Sequence, residues 1–248
     1  MKFLKWCSCV LLMNAGASAA TLTGTVVTNA PDPSNTQLDA GSVLNWAAWN
    51  TTSTTGVASM VATNTLPGGP GAGAPGYISS ITAATTGNVR GAGSAVHNYS
   101  WTGRSAAPLG YVLDENLATV GEGVKFTVAG GTALLADEFY RVNIWATGYR
   151  GTGELEASLN GATSLKFDSR FFGDTSAARP ATLFQLDFRP DNASDLLQIS
   201  FILKTLGAAS GNAHVGIQAV NVQIIPEPSS LVVAGLFGGL ALVRRRRR

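Results

Sequence analysis

From residue 43 onward, apolar side chains return at every second position, in runs too short for helices. No other property of the chain limits its fold as strongly, because a period of two marks a half-buried strand. Residues 154–159 put Leu155, Ala157 and Leu159 on one side and Glu154, Glu156 and Ser158 on the other. Residues 139–147 gather Tyr140, Val142, Ile144 and Ala146. The stretches 42–49, 124–128, 164–167, 182–188, 196–204 and 215–224 continue the series. Between them stand turn signals: Asn160-Gly161, where both residues tolerate a positive φ, and Arg189-Pro190-Asp191-Asn192. Many short strands with glycine-rich turns predict an all-β chain, a β-sandwich or jelly roll. The Pro-Gly and Gly-Ala steps of residues 66–76 cannot hold a regular element and predict a flexible loop. Residues 21–65 are too few for a core of their own, so one β-sandwich domain is expected over 21–225.

The two ends differ in kind from this body. Met1-Lys2-Phe3-Leu4-Lys5 is basic, residues 6–13 form a short apolar core, and Ala17-Ser18-Ala19-Ala20 offers the small residues at which a signal peptidase cuts. This predicts a secretory signal peptide over 1–20, cleaved after Ala19 or Ala20. Both cysteines, Cys7 and Cys9, fall inside it. The exported chain is therefore expected to have no disulfide, no thiolate nucleophile and no cysteine-ligated metal.

The other end runs Pro226-Glu227-Pro228, Ser229-Ser230, an apolar stretch over 231–243, and then Arg244, Arg245, Arg246, Arg247 and Arg248. The apolar stretch suits lipid, and the arginines resist transfer and mark the cytoplasmic end. As a transmembrane helix, 229–243 would span only about 22 Å against a hydrocarbon core of about 30 Å. Gly235, Gly238 and Gly239 weaken it further. Such a helix suits a segment held briefly rather than a permanent anchor. The whole chain carries +2, but without its ends residues 21–225 hold ten cations against fourteen acids, about −4. That charge gives no reason to expect a nucleic-acid partner.

Taken in order, Pro226-Glu227-Pro228-Ser229-Ser230, the apolar run and the arginine block closely resemble the PEP-CTERM sorting signal. That signal occurs on exported proteins of Gram-negative bacteria that make exopolysaccharide. The resemblance covers the last tenth of the chain, 226–248. It implies an exosortase, a membrane protease-transpeptidase, that recognises Pro226, Glu227 and Pro228 and removes helix 229–243 with tail 244–248. The protein then moves to the cell surface or extracellular matrix. Prolines at 226 and 228 lack an N–H and hold the preceding residues extended, as a protease cleft requires. The alternative is a lasting single-pass anchor.

A second resemblance lies in the body. Trp46-Ala47-Ala48-Trp49, Asn98-Tyr99-Ser100-Trp101-Thr102-Gly103 and residues 140–149 ahead of Gly151-Thr152-Gly153-Glu154-Leu155-Glu156-Ala157-Ser158-Leu159 look like bacterial extracellular galactose-binding-like jelly rolls. Asn45 stands where that pattern has Asp, and Asn50 where it has Gly. The resemblance implies a sugar-binding architecture and does not establish binding. Sugar rings stack on flat aromatic faces, and planar polar groups take their hydroxyls. Trp101 sits beside Gly103 and Arg104, and Arg141, Asn143, Trp145 and Tyr149 would share one sheet face if their strand stays regular. These five are the candidate saccharide contacts. Trp46 and Trp49 would point to opposite faces, so at least one of them belongs to the core.

Catalytic chemistry finds little support. His97 and His214 are the two histidines, and no Gly-x-Ser-x-Gly elbow accompanies them. Two lone histidines make a poor zinc site, so no metal or cofactor is expected. Asp187, Asp191 and Asp195 are oxygen donors of the kind calcium takes, but no calcium-loop motif supports a site. Glu154 and Glu156 share a strand face about 7 Å apart, and glycosidases need two carboxylates. The expected function is thus a non-enzymatic, exosortase-processed surface or exopolysaccharide-matrix protein with a saccharide-binding body. Its partners would be signal peptidase, exosortase, the inner membrane in passing, and exopolysaccharide. The alternative is a secreted polysaccharide hydrolase with Glu154 or Glu156 as its acid.

Overall fold

A computed structural model describes residues 20–27, 35–48, 77–79, 81–92, 97–101, 104–108, 110–129, 138–161, 163–173, 181–192, 194–208 and 210–225. Residues 1–19 of the expected signal peptide, the 66–76 loop, Trp49 and the expected sorting segment 226–248 lie outside the described residues. Fifteen strands follow in order: β1 (Thr21–Val27), β2 (Asn35–Gln37), β3 (Val43–Ala48), β4 (Thr82–Ala83), β5 (Val89–Ala92), β6 (Asn98–Trp101), β7 (Arg104–Pro108), β8 (Tyr111–Asp114), β9 (Gly123–Ala129), β10 (Phe139–Tyr149), β11 (Gly151–Leu159), β12 (Thr163–Phe172), β13 (Thr182–Arg189), β14 (Leu196–Leu206) and β15 (His214–Ile225). Among the described residues the one helical piece is a 3-10 turn at Ser210–Asn212, and no helix is long and apolar enough to cross a membrane.

The strands make a β-sandwich. One sheet runs β1-β13-β10-β15-β8-β5, with β3 pairing the same edge of β15 beyond β8. The other runs β12-β11-β14-β9-β4. Every pairing in these two sheets is antiparallel. Alternation is the reason they stack. Tyr140, Val142, Ile144 and Ala146 of β10 meet Leu155, Ala157 and Leu159 of β11 and Leu197, Ile199, Phe201 and Leu203 of β14 in one buried core. At about 25 cal/mol per Å² of apolar surface removed from water, this core is the main stabilising term in a body with no cysteine.

The expected turns form as their residues dictate. Asn160 and Gly161 both take positive φ, 53° and 71°, and turn β11 into β12. Asp195 accepts the backbone N–H groups of Asp191 and Asn192 at 2.7 and 3.1 Å, closing the link from β13 to β14. Its carboxylate is spent on the turn, and the described residues contain no group of three or more acids, histidines or cysteines placed to hold a metal ion.

Two features go beyond the expected strands. A third sheet, β2-β6-β7, has parallel pairing between β2 and β6. Its neighbourhood builds a second core in which Leu38 and Tyr99 pack with Val43, Trp46, Ala48, Trp145, Ala181 and Ala219. The second feature is a bulge in β15. Trp145 pairs with Ala219 and Ala146 with Ile217, so Gln218 is an extra residue. The bulge reverses the side-chain parity. Val215 and Ile217 before it, and Val220 and Val222 after it, all reach the main core. Gln218 is fully buried and accepts a hydrogen bond from the Tyr99 hydroxyl at 2.6 Å, tying the small sheet to the large one.

Candidate functional site

The outer face of β10 carries three of the expected contacts in consecutive rows, and each is already engaged. Arg141 stands opposite Asp187 of β13 and donates to it twice, Nε to Oδ1 at 2.7 Å and Nη2 to Oδ2 at 2.8 Å. This bidentate pair is half-buried, and Asp187 raises the guanidinium pKa further through that hydrogen bond. In the next row Gln185 Nε2 donates to Asn143 Oδ1 at 2.9 Å, Asn143 Nδ2 donates to Asn221 Oδ1 at 2.8 Å, and Asn221 Nδ2 donates to the Leu38 carbonyl at 3.4 Å. Asn143 and Asn221 are both buried. The row is an amide ladder across three strands.

Trp145, in the third row, corrects the expectation. It is 6% exposed and meets the edge of Tyr99 with ring centroids 5.9 Å apart. The third sheet covers this end of the face, so the indole fills the second core and offers no open ring to a sugar. Tyr149 does not join the row either. At the far end of β10 it lies 5.7 Å from the His214 ring, with the Arg150 guanidinium 4.7 Å from its centroid. His214 opens β15; its Nδ1 donates to the Asn212 carbonyl at 2.6 Å, and its Nε2 shares a hydrogen bond with the Tyr111 hydroxyl at 2.6 Å. Trp101 closes β6 opposite Arg104. The five residues are therefore spread over three places.

The outer face of the five-stranded sheet carries a feature the sequence did not single out. A groove of about 770 Å³ runs there, bounded by Ser79 and residues 82–85 and floored by β9, β14 and β11. Its lining includes Ser79, Thr82, Thr85, Thr127, Ser158 and Ser200, with the Gln198 amide and the charged groups of Lys125 and Glu156. The wall is zipped to β9: Ser79 N–H donates to the Thr127 carbonyl at 2.9 Å, Thr127 N–H to Ser79 Oγ at 2.8 Å, and Lys125 Nζ to the Ala84 carbonyl at 3.1 Å. Hydroxyls and one amide on a fixed floor can exchange hydrogen bonds with a polyol.

Beside the groove, charges alternate across three strands. Lys204 bridges Asp168 at 2.6 Å and Glu154 at 2.9 Å, and Lys166 bridges Glu154 and Glu156 at 3.4 Å each. The hydrogen bond from Lys204 holds the Glu154 carboxyl below the ordinary carboxylate range, against the opposing effect of burial. A general acid needs the opposite shift, so that it keeps a proton to give. Glu156 also accepts from Ser164 Oγ at 3.0 Å.

No family model matches the chain, and no curated protein matches it. Eight solved chains are similar in fold. The enzymatically active domain of Bacteriophage CBA120 tailspike protein 4 is 14% identical, with a TM-score of 0.38 over 60% of this chain and 19% of that one. The CBM22-1-GH10 modules of Clostridium thermocellum endo-1,4-beta-D-xylanase 10B, complexed with xylohexaose, are 10% identical, with a TM-score of 0.33 over 60% of this chain and 25% of that one. TmCBM61, in complex with beta-1,4-galactotriose, is 12% identical, with a TM-score of 0.33 over 59% of this chain and 88% of that one. The chain thus spans a fifth to a quarter of the first two. At such TM-scores the functional reading rests on this chain's own residues.

Proposed function

We propose that this is an exported surface or exopolysaccharide-matrix protein, released from a brief membrane tether by an exosortase, with a non-enzymatic β-sandwich that contacts saccharide. The observation that carries the reading is the sequence of the C-terminus: Pro226-Glu227-Pro228, a short apolar run, then five arginines. Strand β15 ends at Ile225, and Pro226 is the next residue of the chain. The saccharide half of the proposal rests on the groove of the five-stranded sheet, whose hydroxyls and Gln198 amide suit sugar hydroxyls. It needs no open tryptophan. The hydrolase alternative with Glu154 as its acid is disfavoured, because Lys204 and Lys166 favour the ionised carboxylate there.

A glycan panel that includes exopolysaccharide fragments, run beside a reducing-sugar assay, tests the saccharide half. The expected result is binding without turnover, weakened several-fold by Gln198→Ala. Turnover abolished by Glu154→Gln or Glu156→Gln would replace the proposal with the hydrolase. A flat panel would leave a purely structural role.

A further inference from the structure

The first and last strands of the sandwich share one end of one row. Thr21 of β1 pairs with Arg189 of β13, the Arg189 guanidinium lies 5.6 Å from the Phe139 ring centroid of β10, and Phe139 pairs with Ile225 of β15. Thr21 and Ile225 are thus three strand spacings apart, about 14 Å. The same rim holds the 38–42 turn, the Asn160-Gly161 turn and the 190–195 link. Its hold on the last strand is firm: Ile224 N–H donates to the Ser42 carbonyl at 3.2 Å, and Ser42 Oγ donates to the Ile224 carbonyl at 2.9 Å. Strand β10 separates this rim from the opposite end, where Arg150 links the two sheets, by about 33 Å over its length.

The apolar residues agree with that polarity. Among the described residues the exposed large hydrophobics are Val27, Val120, Phe171 and Leu206. All four lie at the opposite end: Val27 ends β1, Phe171 and Leu206 lie at the ends of β12 and β14, and Val120 precedes β9. The shared rim shows polar turns, with Asn160, Gly161, Asp191, Asn192 and Ser194 exposed.

We infer that the sandwich stands end-on to the membrane while tethered, with the rim of Thr21 and Ile225 facing the lipid surface. The inference rests on the reading of both termini as membrane-directed segments. The tether is short. Even with Ser229 and Ser230 counted outside helix 229–243, Pro226 to Ser230 is five residues, reaching at most about 17 Å when extended. That is half the length of β10, so the opposite end cannot take the place of the rim. Signal peptidase and exosortase would then work at one edge, about 14 Å apart, on the membrane side. The apolar residues of the opposite end would stand away from it, and the groove would run from Ser158 and Gln198, two residues inside the rim, toward that end.

The test uses the full chain with Cys7→Ser and Cys9→Ser, so that one introduced cysteine carries the only attached dye, read at a wavelength where tryptophan does not emit. Asn192→Cys places it on the rim and Thr119→Cys at the opposite end; Ser194→Cys and Ala208→Cys form a second pair in case one variant fails to fold. All four positions are exposed. Each variant is bound to phosphatidylethanolamine–phosphatidylglycerol vesicles that contain a head-group nitroxide lipid. The expected result is flotation with the vesicles and quenching several-fold stronger at 192 and 194 than at 119 and 208. Flotation with equal or reversed quenching overturns the end-on orientation alone. A chain that stays off the vesicles overturns the orientation together with the membrane reading beneath it.

Discussion

Replacing Trp145 with alanine distinguishes a core tryptophan from a sugar contact. A tryptophan side chain buries about 150–250 Å². At about 25 cal/mol per Å², losing the ring and keeping Cβ costs about 4 kcal/mol, inside the range of about 3–5 kcal/mol found for such truncations. Trp145 is 6% exposed and packs on Tyr99 in the second core, so nearly the full cost applies. For a chain of this size about 2–4 °C of Tm goes with each kcal/mol, which gives a drop of about 8–16 °C. Thermal unfolding followed by far-UV circular dichroism reads it directly. Trp145→Phe should recover a large part of the loss, because it restores an apolar ring to the same space. An unchanged Tm in Trp145→Ala, together with lost saccharide binding, would refute the assignment of this residue to the core.

Two further variants probe the five-stranded sheet. Glu154 has its pKa lowered in the folded chain, so the stability it adds is fully present above its unfolded value of about 4.3 and is lost as pH falls through the folded value. Glu154→Gln should therefore flatten the acid limb of a plot of urea midpoint against pH, and an unchanged limb would contradict the ion network. At Gly153 an added Cβ would meet the Phe201 ring at 2.4 and 2.5 Å, and Phe201 is fully buried. Gly153→Ala should cost about 1–3 kcal/mol in urea unfolding, and a neutral variant would show that the ring can move aside.

The strands were legible because alternation needs only local residues. Leu155, Ala157 and Leu159 face the core as their spacing requires, and Asn160-Gly161 turns as its residues allow. What was not legible depended on partners distant in sequence. The parity break in β15 between Ile217 and Val220 is visible in the letters, but only pairing with Trp145 and Ala146 shows that Gln218 is the extra residue. The third sheet uses strands of three to five residues, too short for a period to register, yet it decides that Trp145 is covered. The groove was missed because its serines, threonines and glutamine read as the solvated side of an ordinary sheet. Its signal was the run of hydroxyl and amide residues on one face, Thr127, Gln198, Ser200 and Ser158. Alternation puts Arg141 and Asn143 on one face, but their cross-strand partners Asp187, Gln185 and Asn221 lie 42 to 78 residues away.

The central claim is removal of the C-terminal segment, and the intact mass of the protein recovered outside an exosortase-bearing cell tests it most directly. The account predicts a chain that begins at Ala20 or Thr21 and has lost at least residues 231–248. A recovered protein that still carries those residues would contradict it and make the terminus a lasting anchor.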